Sequence, residues 1–247
     1  MSAAATLDVI DNYPGWERAP AYLEQQILQR RLRRIADLGG GAHPMLPESV
    51  IRVRQLQYCV LDISAAELAK APPYCDKIQI DITAPPEEFR AKVPLGELDL
   101  VFSHMFLEHV QAPLQAHRNI HSMLRPGGIA IHFYPSPNNL PLAVNRLIPQ
   151  GLSQRLVRIA QPHRDLAGIQ GKFPAYYQMC GNPSRALHAS FEQMGFEVIQ
   201  HTGFIGHGYY TRFPVVREVE LALRRILVSA RIRLTSAMLL ILEKRQR

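Results

Sequence analysis

The stretch Ile35-Ala36-Asp37-Leu38-Gly39-Gly40-Gly41-Ala42-His43-Pro44 puts an acid near the end of a short apolar run and three glycines directly after it. Glycines at such a point let the backbone take positive φ and approach a ligand with no Cβ in the way. The usual ligand of a turn like this is nucleotide-like and sits at the carboxyl edge of a parallel sheet. A dinucleotide fingerprint requires G-x-G-x-x-G; Gly39 and Gly41 supply two of its glycines, and the third position is Pro44. Twenty-five residues after Asp37, a second acid, Asp62, closes the apolar run Tyr58 to Leu61. A carboxylate there can accept two hydrogen bonds at once, as a diol offers. The chain also carries ten histidines, among them the pair Glu108-His109 and its neighbour His104.

Further elements follow in order: Lys77-Ile78-Gln79-Ile80-Asp81-Ile82, then Leu98-Asp99-Leu100-Val101-Phe102-Ser103, then Leu107-Glu108-His109-Val110, then Met123-Leu124-Arg125-Pro126-Gly127-Gly128-Ile129-Ala130-Ile131. With the glycine turn and Asp62, these resemble the motifs of the class I S-adenosylmethionine (SAM) methyltransferases from about Arg34 to Pro135. One glycine loop is a weak signal; five elements in the family's order with similar gaps make a strong one. The resemblance implies an α/β, Rossmann-like, seven-stranded and mostly parallel sheet with helices on both faces and an antiparallel last strand. It implies SAM as the methyl donor, held by Asp37, Gly39, Gly41, Asp62 and Asp81, with backbone from Ser103 and Met105 beside the methionine moiety. One departure is His43-Pro44, where many members have a third glycine; a side chain there would crowd the methionine end or contact its carboxylate.

Methyl transfer is an in-line displacement in which the protein chiefly positions and desolvates the acceptor. An oxygen acceptor also needs its proton removed, and histidine suits that near neutral pH. His109 is the first candidate for a base, with His163 and His207 in the acceptor-side loops close behind. A packed or merely solvated histidine is the plain alternative for each. Some relatives carry E-x-x-E-H at Glu108-His109 and bind a divalent cation there. This chain has Met105 in place of the first Glu, and a thioether is a poor ligand for a hard cation, so no metal is expected; Glu108-His109 then caps and orients the helix start.

The elements that position these residues alternate as strand and helix, which implies a parallel sheet covered on both faces. Helices are expected over 17–34, 47–55, 65–70, 86–92, 113–124, 184–194 and 213–231, and strands at 196–201 and 236–242. The chain reads as one methyltransferase domain over 1–247. Segment 135–182, rich in turns and in His163, Lys172, Phe173, Tyr176 and Tyr177, reads as an insertion covering the acceptor; a long loop of that kind is usually functional.

The net charge is +7, and +6 of it lies from Arg212 onward. The helix 213–231 is amphipathic: Phe213, Val216, Val219, Leu223, Ile226, Leu227 and Ala230 form a stripe expected to pack on the core, leaving Arg217, Arg224, Arg225 and Arg231 outside. The arginines suit peripheral contact with an anionic membrane, or a plain solvated face. The first fifteen residues show no apolar leader core, and no apolar run is long enough to span a bilayer. The three cysteines have no metal-like spacing; reduced thiols and a cytoplasmic location, peripheral at the inner membrane face if the arginines engage it, are expected. The segment Ser103-His104-Met105-Phe106 lacks the Asn/Asp-Pro-Pro-aromatic run of amino-methylating DNA enzymes and the paired glutamates of protein arginine methyltransferases. The expected acceptor is therefore a small molecule, most simply a hydroxyl of a glycan or natural-product intermediate, with no nucleic-acid partner; an RNA methyltransferase and a non-catalytic SAM-fold interaction subunit are the rivals.

Overall fold

The computed structural model describes residues 5–138, 174–206 and 214–246. In chain order they form β1 (Ala5–Val9), α1 (Ala19–Arg30), β2 (Arg34–Leu38), α2 (Glu48–Arg54), β3 (Gln57–Asp62), α3 (Ala65–Lys70), β4 (Asp76–Gln79), α4 (Pro86–Lys92), β5 (Leu98–His104), α5 (Pro113–Met123), β6 (Leu124–Pro135), α6 (Arg185–Gln193), β7 (Phe196–Ile205), α7 (Pro214–Ser229) and β8 (Ala237–Lys244). Short 3-10 turns at Ile10–Asn12 and Leu107–His109 complete the set.

The sheet order is β1-β7-β8-β6-β5-β2-β3-β4. Every pairing is parallel except the two made by β8, which runs antiparallel between β6 and β7. The central strands are apolar on both faces, as a sheet covered by helices on both sides requires. Along β6, Ile129, Ile131 and Phe133 join α1 and α2 in one core, with Leu23, Ile27 and Ile51. Ala130 and Tyr134 join the opposite core, with Ala116 and Ile120 of α5 and Phe191 of α6. Each of the larger aliphatic and phenyl side chains here, fully buried, contributes about 1.5–3 kcal/mol.

The sheet has eight strands where seven were expected. The additional strand, β1, lies parallel to β7 at the sheet edge, its Thr6 hydroxyl 2.7 Å from that of Thr202. Five residues at an edge, one of them Asp8, carry too little apolar period to announce a strand. The expected helix over 17–34 is shorter. It ends where Arg31 takes a left-handed conformation (φ 56°) and its amide N–H bonds back to Ile27 and Leu28, so that Arg34 can begin β2. Strand β7 extends four residues past the expected 201. Of the expected insertion, 139–173 lies outside the described residues, together with His163, Lys172 and Phe173; so do His207, Arg212 and Phe213.

The amphipathic reading of α7 holds in part: Arg217, Arg225 and Arg231 stay outside and Leu227 inside, as expected. Arg224, expected outside, is 5% exposed and pairs with Asp11 (2.7 Å) and with Glu220. Val219 (63%), Leu223 (38%) and Ile226 (60%), expected inside, face outward, while Leu227 packs inward. The buried guanidinium is met by Glu220 of its own helix and by Asp11 of the turn after β1, and this ionic anchor sets the rotation of the helix. No helix among the described residues is long and apolar enough to cross a membrane.

Candidate active site

The glycine turn leaves the carboxyl end of β2 and is shaped by Asp37. This carboxylate is buried; its Oδ2 accepts a hydrogen bond from the Met45 amide (2.9 Å) and another from the Tyr58 hydroxyl (2.6 Å). Burial pushes the Asp37 carboxyl up to about 6, against the lowering pull of those two bonds. Asp37 thus ties the loop to β3. A Cβ on Gly40 would lie 2.8 Å from its Oδ2, so the turn wraps closely around it.

Gly41 (φ +44°) lies against the end of β3, where its missing Cβ would stand 3.1 Å from Asp62 Oδ2. Asp62 Oδ1 accepts the Ser64 amide at 2.8 Å. The arrangement fits an adenosyl ribose: a carboxylate oxygen faces a glycine surface at a carboxyl edge of parallel strands. Asp81 stands just past β4, exposed, its Oδ1 bonded by the Thr83 amide and hydroxyl at 2.8 and 2.7 Å. Gly39 (φ +74°) carries the ring of Phe106, which a Cβ would meet at 2.4 Å. His43 is exposed, its amide bonded to the Gly40 carbonyl, and its ring does not fill the turn.

At the end of β5 the chain turns sharply. Ser103 is buried, its hydroxyl 2.8 Å from His132 Nδ1. Met105 takes a left-handed conformation (φ 52°) and its amide bonds to the Phe133 carbonyl. The turn brings His104 to the carbonyl of Gly15 and leads into Glu108 and His109. Glu108 is 2% exposed; burial raises its carboxyl, against the lowering pull of its own backbone amide and, less, of His109. Its carbonyl accepts the amides of Tyr176 (2.7 Å) and Tyr177 (3.2 Å), so the described end of the 135–182 segment is laid across this edge. His109 Nδ1 lies 3.0 Å from the Pro174 carbonyl, and its Nε2 is 3.8 Å from Glu108 Oε1.

The residues 13–16 were not singled out from the sequence, yet they close the same edge. Tyr13 is fully buried, its ring packed against Trp16, Phe133 and Phe204. Arg18 pins the segment through the carbonyls of Asp11 and Tyr13. A Tyr-Pro-Gly-Trp run far from any motif gives no local sign that it will meet His104 at the end of β5.

Behind this edge lies a group of buried histidines. His117 and His132 meet edge to face, and His201 bridges the Tyr134 hydroxyl (3.0 Å) and His188 (3.1 Å). Burial holds His117 down to about 4 and His201 down to about 3. The three cysteines are free and buried, which pushes Cys59 and Cys180 up to about 12 and Cys75 up to about 11. Among the described residues no three His, Cys, Asp or Glu side chains gather as a metal site.

The strand order, the glycine turn and Asp62 together are the frame of a methyltransferase, and the sequence agrees: the profile of the methyltransferase-domain family matches residues 14–201. The chain belongs to this family. It is a SAM-dependent methyltransferase, and SAM is its methyl donor. No curated protein matches the sequence. Solved structures share the fold at low identity. A SAM-dependent methyltransferase from Archaeoglobus fulgidus is 14% identical with a TM-score of 0.52, covering 91% of this chain and 94% of that one. A second, from Mesorhizobium loti, is 17% identical with a TM-score of 0.51, covering 94% and 99%. Phosphoethanolamine N-methyltransferase 2 of Haemonchus contortus is 13% identical with a TM-score of 0.52, covering 91% of this chain and 53% of that one.

Proposed function

We propose that this methyltransferase places the methyl group of SAM on a hydroxyl oxygen of a small molecule, a glycan or natural-product intermediate. In this reading Asp62 takes the ribose hydroxyls of SAM and Asp81 its adenine side. Gly39 and Gly41 give the close approach, Asp37 holds their turn in shape, and backbone at Ser103 and Met105 flanks the methionine end. What SAM supplies is a methyl group on a good leaving sulfur.

The observation that carries the acceptor class is the lining of the β5 edge. Tyr13, His104, Phe106, Glu108, His109 and Tyr176 bring aromatic faces, imidazoles and one buried carboxylate. Aromatic faces with a few convergent polar groups suit a small ring or sugar. A nucleic acid needs cations along its phosphates, and a buried carboxylate argues against the RNA alternative. Among the candidate bases His109 stands at this edge, its Nδ1 3.0 Å from the Pro174 carbonyl; His163 and His207, outside the described residues, keep their place as acceptor-side candidates. The 135–182 segment supports the same reading through the bonds of Tyr176 and Tyr177 to Glu108.

The outward stripe of α7 supports a peripheral location on an anionic membrane, at the inner face of a cytoplasmic enzyme. Val219, Leu223 and Ile226 face out beside the exposed Arg217, Arg225, Arg231 and Arg233. Apolar groups flanked by arginines are the pattern of a helix lying in the headgroup layer. A lipid-linked acceptor would be met there.

The test is incubation with methyl-labelled SAM and three acceptor pools: lipid-linked glycans, hydroxylated natural-product intermediates and total RNA. Label in an alkali-stable methyl ether of a small molecule supports the reading, and label in RNA overturns it. Flotation with phosphatidylglycerol vesicles at low and high salt tests the membrane contact; the protein floats at low salt and is released at high salt, and absence of flotation at low salt removes that part.

A further inference from the structure

Away from the carboxyl edge, two cavities of about 460 and 390 Å³ lie between α1 and the strip of β7 and β1 beside it. They share Thr6, Tyr22 and Gln200, so they are two lobes of one groove. Each lobe is within the size range of small-ligand pockets, about 300–1,000 Å³. One lobe extends along α1 to Gln26, Gln29 and Arg30; the other reaches Asn12 and Pro14. Pro14 precedes Gly15, whose carbonyl meets His104 at the end of β5, so the second lobe ends beside the edge proposed for the acceptor. The floor is polar because the edge strands turn such side chains to this face. The hydroxyls of Thr6 and Thr202 lie 2.7 Å apart, and Gln200 Nε2 donates to Thr202 at 3.0 Å. An apolar strip must be covered by a helix, and a polar one need not be.

The two charged side chains of the lining are answered within the protein. Asp8 accepts from the Val9 amide (2.7 Å) and from Asn12 (2.9 Å). Arg30 stands 3.7 Å from Glu243 and donates to Gln26 at 3.4 Å. What is left to meet a ligand is neutral: the carboxamides of Gln26, Gln29 and Gln200, and the ring of Tyr22, set edge-on to Phe133 at 5.8 Å. A carboxamide carries donors and an acceptor side by side, and a sugar hydroxyl, both donor and acceptor, complements either end. The Tyr22 ring, Ile199 and Ile241 give apolar surface for the C–H face of a sugar ring. We infer that this groove binds a neutral oligosaccharide. An anionic ligand finds both charges of the groove already engaged, and an apolar one leaves the amides without partners, which costs binding. Resting on the glycan reading of the acceptor, this assignment adds that the acceptor is a chain of sugars. Its outer units lie in the groove while one unit meets SAM, and binding far from the reacting atoms helps to position them.

The test reads binding rather than turnover. The full chain is titrated by calorimetry and saturation-transfer NMR with neutral oligosaccharides derived from dextran, mannan, chitin and galactan, from monomer to hexamer. Heparin fragments of the same lengths serve as anionic controls. At least one neutral series binds, with affinity rising about tenfold or more from monomer to tetramer as the second lobe fills. Gln29→Ala with Gln200→Ala weakens that binding by about tenfold or more, the worth of one or two lost hydrogen bonds. Gln29→Ala alone, on the exposed surface of α1, gives a smaller loss in the same direction. Both variants keep the wild-type melting temperature and bind SAM within twofold of wild type. No binding of any neutral series at millimolar concentration overturns the groove, as does equal affinity for monomer and tetramer. Unchanged sugar binding in the double variant places the sugar elsewhere and overturns it too, and tighter binding of the heparin fragments overturns the neutral class. Sugar binding lost in the double variant of a protein that methylates no glycan upholds the groove and strikes the glycan reading of the acceptor alone.

Discussion

The two halves of the sheet's carboxyl edge are built on opposite terms. On the β2–β3–β4 side every candidate acid already has protein partners: Asp37 holds Met45 and Tyr58, Asp62 holds Ser64, and Asp81 holds Thr83. On the β5–β6–β7 side four buried side chains each keep one polar atom without a hydrogen-bond partner among the described residues: the Tyr13 hydroxyl, Glu108 Oε2, His117 Nε2 and His132 Nε2. A satisfied carboxylate braces a loop into one shape, whereas an unsatisfied one costs the empty protein stability until a ligand arrives. On the proposed reading, the braced side is finished scaffolding for a donor that is always the same, and the other side serves the acceptor that varies.

The comparison breaks most visibly with pH. His117 and His201 are neutral in the fold, with values held down to about 4 and 3 by burial. The unfolded chain binds their protons near 6.5, so stability present above that value is lost as the pH falls through it, on the order of 5 kcal/mol in sum by pH 4. Urea unfolding at a series of pH values measures this. Hydrogen exchange should show β6 and β7 losing protection before β2 and β3 on acidification, and loss in the reverse order would contradict the division. Asp37 carries the opposite sign. Its carboxyl is raised to about 6, so its contribution is fully present below the ordinary 3.8 and lost as the pH rises through 6. Set against Asp37→Asn, which cannot titrate, wild type should lose up to about 3 kcal/mol between pH 4 and 7.

A matched pair of tyrosines sharpens the point at smaller cost. Tyr58→Phe removes the donor that Asp37 uses and should destabilise by about 1–2 kcal/mol, whereas Tyr13→Phe should stabilise. Equal signs from the two would dissolve the distinction between braced and poised sides. The smallest effect expected is none: with Met105 where a carboxylate ligand would stand, EDTA should leave the initial rate of methyl transfer unchanged, and its abolition with recovery in Mg²⁺ would show that a cation site exists.

The braced side was readable in the sequence because it is local. Asp37 and Asp62 lie at the carboxyl ends of β2 and β3, and the glycines and Asp81 come within three residues of a strand end, so each is visible in a run of letters. The role of Asp37 was only half visible, since Tyr58 lies 21 residues away and meets it through the pairing of β2 with β3. The poised side is assembled from Tyr13, Glu108 and the 174–182 segment, which no spacing rule links. The rotation of α7 was misread for a related reason. Its apolar stripe was correct as a pattern, but the buried pairing of Arg224 with Asp11 joins positions 213 residues apart and outweighs the stripe in setting the face that turns inward. Edge strand β1 was missed because a strand of five residues at a rim needs little hydrophobicity of its own.

The central claim, that the carboxyl edge of β2 and β3 is a formed site for SAM, is tested most directly by titration calorimetry of the full chain with SAM, beside Asp62→Ala. The account predicts micromolar binding by wild type and a loss of about 1–3 kcal/mol in the variant, the worth of a charge-assisted hydrogen bond, with the melting temperature little changed. Wild-type affinity in Asp62→Ala, or no binding by the wild-type protein, would contradict it.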